Sequence, residues 1–123
     1  MNDIVTIIDT HLAGYCEPDA GARARLLASS WSPDGELIDP PFDGAGHDGI
    51  AGLVDAVLSH FPGHVFRRST AVDAHHDFAR YGWELVAPDG SVPVSGVDFA
   101  QLAADGRLQR VVGFFGPLTP QTS

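Results

Sequence analysis

The sequence predicts an α+β fold, with three helices covering the concave face of a curved, cone-shaped sheet that is antiparallel or mixed. Three observations carry this expectation. Apolar residues at helical spacing occupy the first third and a middle segment, while the second half reads as successive strands. Fourteen glycines and nine prolines supply the turns of a β-rich chain. One carboxylate, Asp98, falls inside a strand among Val94, Val97 and Phe99, where it is costly unless solvated, paired or protonated.

The elements follow in order. Ile4, Val5, Ile7, Ile8, Leu12 and Tyr15 define a wide-faced first helix over residues 3–15, capped by Asn2 or Asp3 and weakened at its end by Gly14. Asp19 caps a second helix over residues 20–29, rich in Ala, Arg and Leu. Ser32-Pro33-Asp34-Gly35 reads as a turn, and residues 36–39 as a short strand closed by Pro40-Pro41. A loop over residues 42–46 leads to a third helix over residues 49–61, capped by His47 or Asp48, with Ile50, Leu53, Val54, Val57, Leu58 and Phe61 on one face. Strands are expected over residues 64–75, 77–87, 92–102 and 107–115, with turns at Pro88-Asp89-Gly90 and Ala104-Asp105-Gly106. Residues 1–116 form one domain, and residues 117–123 read as a flexible tail.

Composition bounds the function. With 44% apolar residues, 123 residues hold one modest core. A net charge of −9 repels a phosphate backbone, so no nucleic-acid partner is expected. Only 19% of residues are charged, and the last strand is apolar on both sides, Val112 and Phe114 on one and Val111 and Phe115 on the other; both features suggest a homodimer formed through the outer face of the sheet. Cys16 is the single cysteine, which forbids an intrachain disulfide, and no apolar run is long enough for a membrane span or secretory signal, so a cytoplasmic setting and no membrane partner are expected.

Two carboxylates are the candidates for chemistry. Asp39 ends a short apolar strand and Asp98 lies within another, so their environments can separate their proton affinities. Trp83, Tyr81 and Phe115 are candidates for an apolar ligand-binding wall. Adjacent strand residues face opposite ways, so His75 and His76 cannot both face a pocket; His75 is the ligand-binding candidate, and no metal site is expected.

Leu26-Leu27-Ala28-Ser29-Ser30-Trp31 running into Glu36-Leu37-Ile38-Asp39-Pro40, Gly49-Ile50-Ala51-Gly52-Leu53, and Asp98 with Asp105-Gly106-Arg107-Leu108 and Phe114-Phe115-Gly116 together resemble the nuclear transport factor 2-like superfamily. The resemblance is to its ketosteroid isomerase and SnoaL-like polyketide cyclase branch, and it spans nearly the whole chain. It implies a general base at Asp39 and a protonated hydrogen-bond donor at Asp98. A first-helix Tyr would complete the isomerase set; His11 stands at that place here, with Tyr15 one turn later. In the cyclase branch Asp98 would be the acid/base. The resulting expectation is a cofactor-free isomerase or cyclase acting by proton transfer on a small apolar carbonyl compound. The alternative is a non-catalytic ligand-binding or dimeric interaction domain.

Overall fold

The computed structural model describes residues 3–121. Helices α1 (Ile4–Gly14) and α2 (Ala20–Ser30) precede strands β1 (Trp31–Asp39) and β2 (Phe42–Ala45). Helix α3 (Gly46–His60) follows, then β3 (Val65–Arg68), β4 (Asp73–His75), β5 (Phe78–Val86), β6 (Val94–Leu102) and β7 (Leu108–Phe115). The seven strands form one curved, unclosed sheet in the order β2-β1-β7-β6-β5-β3, with β4 also paired to β5. All pairings are antiparallel except that of β1 with β7, which is parallel. The fold is therefore α+β with a mixed sheet, as the element order predicts.

Local signals set the first two helices. The Asp3 carboxylate accepts from the Val5 N–H and the Asp19 carboxylate from the Ala22 N–H, each satisfying a donor left free by the helix start. Asn2, the alternative cap, lies outside the described residues. Ile7, Ile8, His11 and Leu12 of α1, Leu27 of α2 and Ile50, Leu53, Val54 and Val57 of α3 are buried. They meet the inward residues of the sheet, which alternate along each strand: Leu37 on β1, Ala79, Tyr81, Trp83 and Leu85 on β5, Ala100 on β6 and Val111 on β7. Buried ion-pair chemistry is minor here; the Arg23–Asp55 and Arg68–Asp9 pairs tie α2 to α3 and β3 to α1 at the surface.

Several elements depart from the sequence expectation. The Ser32–Gly35 turn chemistry is real, with the Ser32 hydroxyl donating to Asp34, but it forms a bulge inside β1 rather than a separate turn. Residues 42–45 form β2 rather than a loop, paired across Pro40-Pro41 with the end of β1. Helix α3 begins at Gly46 after Ala45, with no side-chain cap. His47, one expected cap, instead donates from Nε2 to the Trp31 carbonyl at 2.9 Å. The expected strand over residues 64–75 is broken into β3 and β4, because the Thr70 hydroxyl accepts the Gly82 N–H that a continuous strand would have bound. Residues 117–121 carry no regular structure.

Core packing and local capping should separate in magnitude. Ile8→Ala removes fully buried methyl groups from α1 and should cost about 2–5 kcal/mol. Asp19→Ala should cost about 1 kcal/mol through loss of the α2 cap. Urea unfolding of both variants checks the difference, and an equal loss would contradict the placement of Ile8 in the core.

Candidate active site

The strand order brings the two carboxylates together. Asp98 on β6 pairs directly with Gly113 on β7, and Ile38 on β1 pairs with Val112 on β7, so Asp39 sits beside Gly113 from the other side. A Cβ built on Gly113 would lie 2.5 Å from Asp39 Oδ1 and 3.1 Å from Asp98 Oδ1. The two oxygens are therefore no farther apart than the sum of those distances. Only a glycine leaves this space open.

A cavity of about 10 Å3, room for about one water molecule, is lined by His11, Leu12, Tyr15, Leu37, Asp39, Phe66, Trp83 and Asp98. The predicted residues Asp39, Asp98, His11, Tyr15 and Trp83 thus converge on one space. Tyr81 is also part of the cluster, but as a fixed partner of Asp98: its hydroxyl donates to Asp98 Oδ2 at 2.9 Å. Phe115 lies one layer back, edge-on to Trp83 at 5.7 Å, so it supports the wall rather than forming it.

His75 lies apart from the two acids. It borders a separate, open groove of about 360 Å3 at the β4–β5–β6 side of the sheet, with Asp73, Phe78, Ala79, Arg80 and Phe99. That groove is larger than the acid cavity, but its two opposite charges already pair with each other, Arg80 on Asp73 at 2.8 Å. The histidine geometry differs as well: His76 leaves the strand at φ 54°, and its ring meets that of His75 edge-on instead of facing away. Among the described residues no cluster of three or more metal-ligating side chains forms.

Electrostatics separates the groups around the cavity. Asp98 is 7% exposed, and its pKa is raised from 3.8 to about 7. Burial is the main cause; the Asp39 charge adds to it, while the Tyr81 hydrogen bond opposes it. The Trp83 indole also opposes it weakly, although Nε1 is outside hydrogen-bonding geometry and has no partner among the described residues. Burial raises Asp39 to about 6, and its buried Oδ1 likewise has no partner among the described residues. The Tyr15 hydroxyl is held well above its ordinary pKa by burial and by the charges of Asp39 and Asp98. His11 is pushed down to about 4 by burial. Burial thus raises both carboxyls toward neutral pH, and Asp98, bonded to Tyr81, is the more deeply buried of the two. Tyr15 and His11 are neutral.

Sequence reasoning missed two participants. Gly113 carries no chemistry of its own, and its only signal is a glycine inside an otherwise apolar strand. Phe66 closes the cavity by packing on Tyr15 at 4.6 Å and Trp83 at 5.5 Å between ring centres. Its place on a short edge strand gave no hint of that.

A curved α+β sheet with a polar cavity between its concave face and the first helix defines the cone-shaped nuclear transport factor 2-like class. Solved structures agree. A presumed isomerase of the SnoaL-like family from Agrobacterium tumefaciens str. C58 is 35% identical, with 95% of this chain covering 100% of that one at a TM-score of 0.88. The chain belongs to the SnoaL-like family. More distant likenesses show the fold alone. A presumed polyketide cyclase from Sinorhizobium meliloti is 20% identical over 93% of this chain and 95% of that one, TM-score 0.69. A nuclear transport factor 2-like protein from Exiguobacterium sp. 255-15 is 20% identical over 92% and 100%, TM-score 0.68. No protein-family model and no curated protein matches the sequence.

The shifted groups make stability depend on pH in a defined direction. Asp39 and Asp98 hold protons when folded at pH values where unfolded carboxyls have lost them. Their stabilisation is complete below the unfolded value of 3.8 and is lost as pH rises through about 6 and about 7. His11 acts oppositely: its contribution is present above the unfolded 6.5 and is lost as pH falls toward about 4. Two acids outweigh one histidine, so wild-type stability should decline from about pH 4 to about pH 7. The Asp39→Asn/Asp98→Asn double variant should lose that decline. Urea midpoints across the range check this, and an equal decline in both proteins would assign it to general surface charge.

Proposed function

We propose that the protein is an isomerase or cyclase that needs no cofactor and moves a proton on a small apolar carbonyl compound. The observation that carries this reading is the pair of carboxyls flanking Gly113, both with proton affinities raised by burial, in an aromatic-walled cavity. The presumed isomerase assignment of the Agrobacterium relative supports the same reaction class. Asp39 takes the proton α to the carbonyl. The electrons of the broken C–H bond move into a C=C bond, and those of the C=O bond move onto oxygen. Asp98, protonated, donates a hydrogen bond to that oxygen, with Tyr15 and His11 as helpers. Asp39 then returns the proton to another carbon, completing an isomerisation. In a cyclase the enolate would instead attack a second carbonyl carbon, and Asp98 would give that oxygen its proton.

The alternative, a non-catalytic binding or interaction domain, is favoured by one observation: the cavity admits about one water molecule. A substrate therefore enters only if the wall of Phe66, Tyr15 and Trp83 opens. Conversion of a small β,γ-unsaturated ketone to its conjugated isomer, with α-proton exchange in D2O, distinguishes the two. Asp39→Asn should lower the rate by roughly 10²–10⁴-fold. Asp98→Ala should cost about 10²–10³-fold, and Asp98→Asn, which keeps a donor, should cost less. Equal activity in all three variants would remove both acids from the chemistry.

A homodimer through the outer face of the sheet is also proposed. Phe99 and Phe114 stand 46% and 57% exposed there and meet edge-on at 5.8 Å, with Val97, Val112 and Ile38 beside them. A contiguous apolar patch of this kind suits association with a partner surface. Sedimentation at micromolar concentration should give twice the 13.0 kDa mass. Phe114→Asp should restore the single-chain mass, and a wild type already at 13.0 kDa would refute the dimer.

A further inference from the structure

His11 and Trp31 form a buried pair that the proton-transfer roles of the two acids do not account for. Trp31, the first residue of β1, is fully buried, and its indole Nε1 donates to His11 Nδ1 at 3.0 Å. An indole N–H can only donate, so Nδ1 must present a lone pair. The ring is then neutral and carries its proton on Nε2. The ring is 1% exposed and lines the acid cavity. Edge-on contacts with Trp31 at 5.4 Å and Tyr15 at 5.5 Å between ring centres fix its plane from two sides.

We propose that Trp31 is a positioning residue that locks His11 as a neutral Nε2–H donor, and that this N–H serves the oxygen of the bound carbonyl compound. The second half of the proposal rests on the proton-transfer reading; the first half does not. The charge state matters to the neighbouring acids. An imidazolium here would stabilise the Asp39 carboxylate and weaken it as a base, whereas a neutral ring donates without supplying that charge. Burial, which holds the His11 pKa near 4, acts in the same direction as the Trp31 hydrogen bond. The groups facing the ring are Tyr15 on its own helix, Trp31 and Asp39 on β1, Phe66 on β3, Trp83 on β5 and Asp98 on β6.

Long-range 1H–15N NMR on the full, ligand-free chain tests the lock directly. His11 should read as the Nε2–H tautomer and show no imidazolium between about pH 5 and pH 8. In Trp31→Phe, with folding verified by circular dichroism, that preference should relax and the tautomer signals should mix. An imidazolium, or an Nδ1–H ring in the wild type, overturns the proposal without any variant being needed. The probe for the donor role is 4-nitrophenol, whose phenolate oxygen resembles that of an enolate. Its binding should shift the His11 Nε2–H resonance, and Trp31→Phe should weaken it by roughly tenfold. A probe that shifts the Trp83 indole resonance yet leaves Nε2–H unmoved removes the donor role. No binding at all, with the tautomer intact, fails the proton-transfer reading while supporting the Trp31 lock.

Discussion

The site depends on a space that a missing side chain keeps open. Gly113 lies on β7 between β1 and β6, and carboxyl oxygens from both neighbouring strands occupy the volume where its Cβ would sit. Neighbouring strands lie about 4.8 Å apart, so side chains from β1 and β6 on one face can meet only across the strand between them. A methyl group at that point would keep them apart. With it absent, two acids share an environment that water scarcely enters, and each makes ionisation of the other harder.

The surroundings convert that repulsion into an ordered arrangement. Tyr81 gives Asp98 one firm hydrogen bond, while the Asp39 oxygen beside Gly113 is left without one. Tyr81 and Asp98 are directly opposite on β5 and β6, so the bond follows from strand register alone. On the helical side, the Trp31–His11 pair joins the beginning of β1 to α1. Each side of the cavity thus has one satisfied buried donor–acceptor pair, while Asp39 Oδ1 and the Trp83 indole, both on the sheet side, are left without partners among the described residues. Buried polar groups are costly when unpaired, so orphaned atoms concentrated at one place are the mark of a site rather than of a core.

The fold was legible wherever the determining chemistry is local. The caps at Asp3 and Asp19, the apolar faces of α1 and α3, and the turns at Asp89-Gly90 and Asp105-Gly106 all act within a few residues. Features that depend on distant partners were not. The Thr70 hydroxyl that interrupts the edge strand bonds to Gly82, and His47 bonds to Trp31 instead of capping its own helix. The acids Asp39 and Asp98 could be picked out because a carboxylate ending or interrupting an apolar strand conflicts with its neighbours. Gly113 raised no such conflict, although it decides whether the acids can meet. His75 faces a groove separate from the acids because β4 pairs only with β5 at the far side of the sheet, a placement set by long-range pairing that its sequence neighbours do not reveal.

The parallel pairing of β1 with β7 has a consequence for how the chain assembles. β1 is complete by residue 39, yet its central partner spans Leu108–Phe115. As the chain leaves the ribosome at about 5–20 residues per second, β1 waits several seconds with one side paired only to the short β2. The hairpin strands β5 and β6 can pair by nearby contacts, but β1 joins them only through β7, a closure that spans most of the sequence and slows folding. The Asp39–Asp98 neighbourhood therefore comes into being in the same event that completes the sheet. A partly made chain holds the two acids on unconnected halves, each free to stay hydrated and ionised, and their mutual strain is imposed only when the sheet closes.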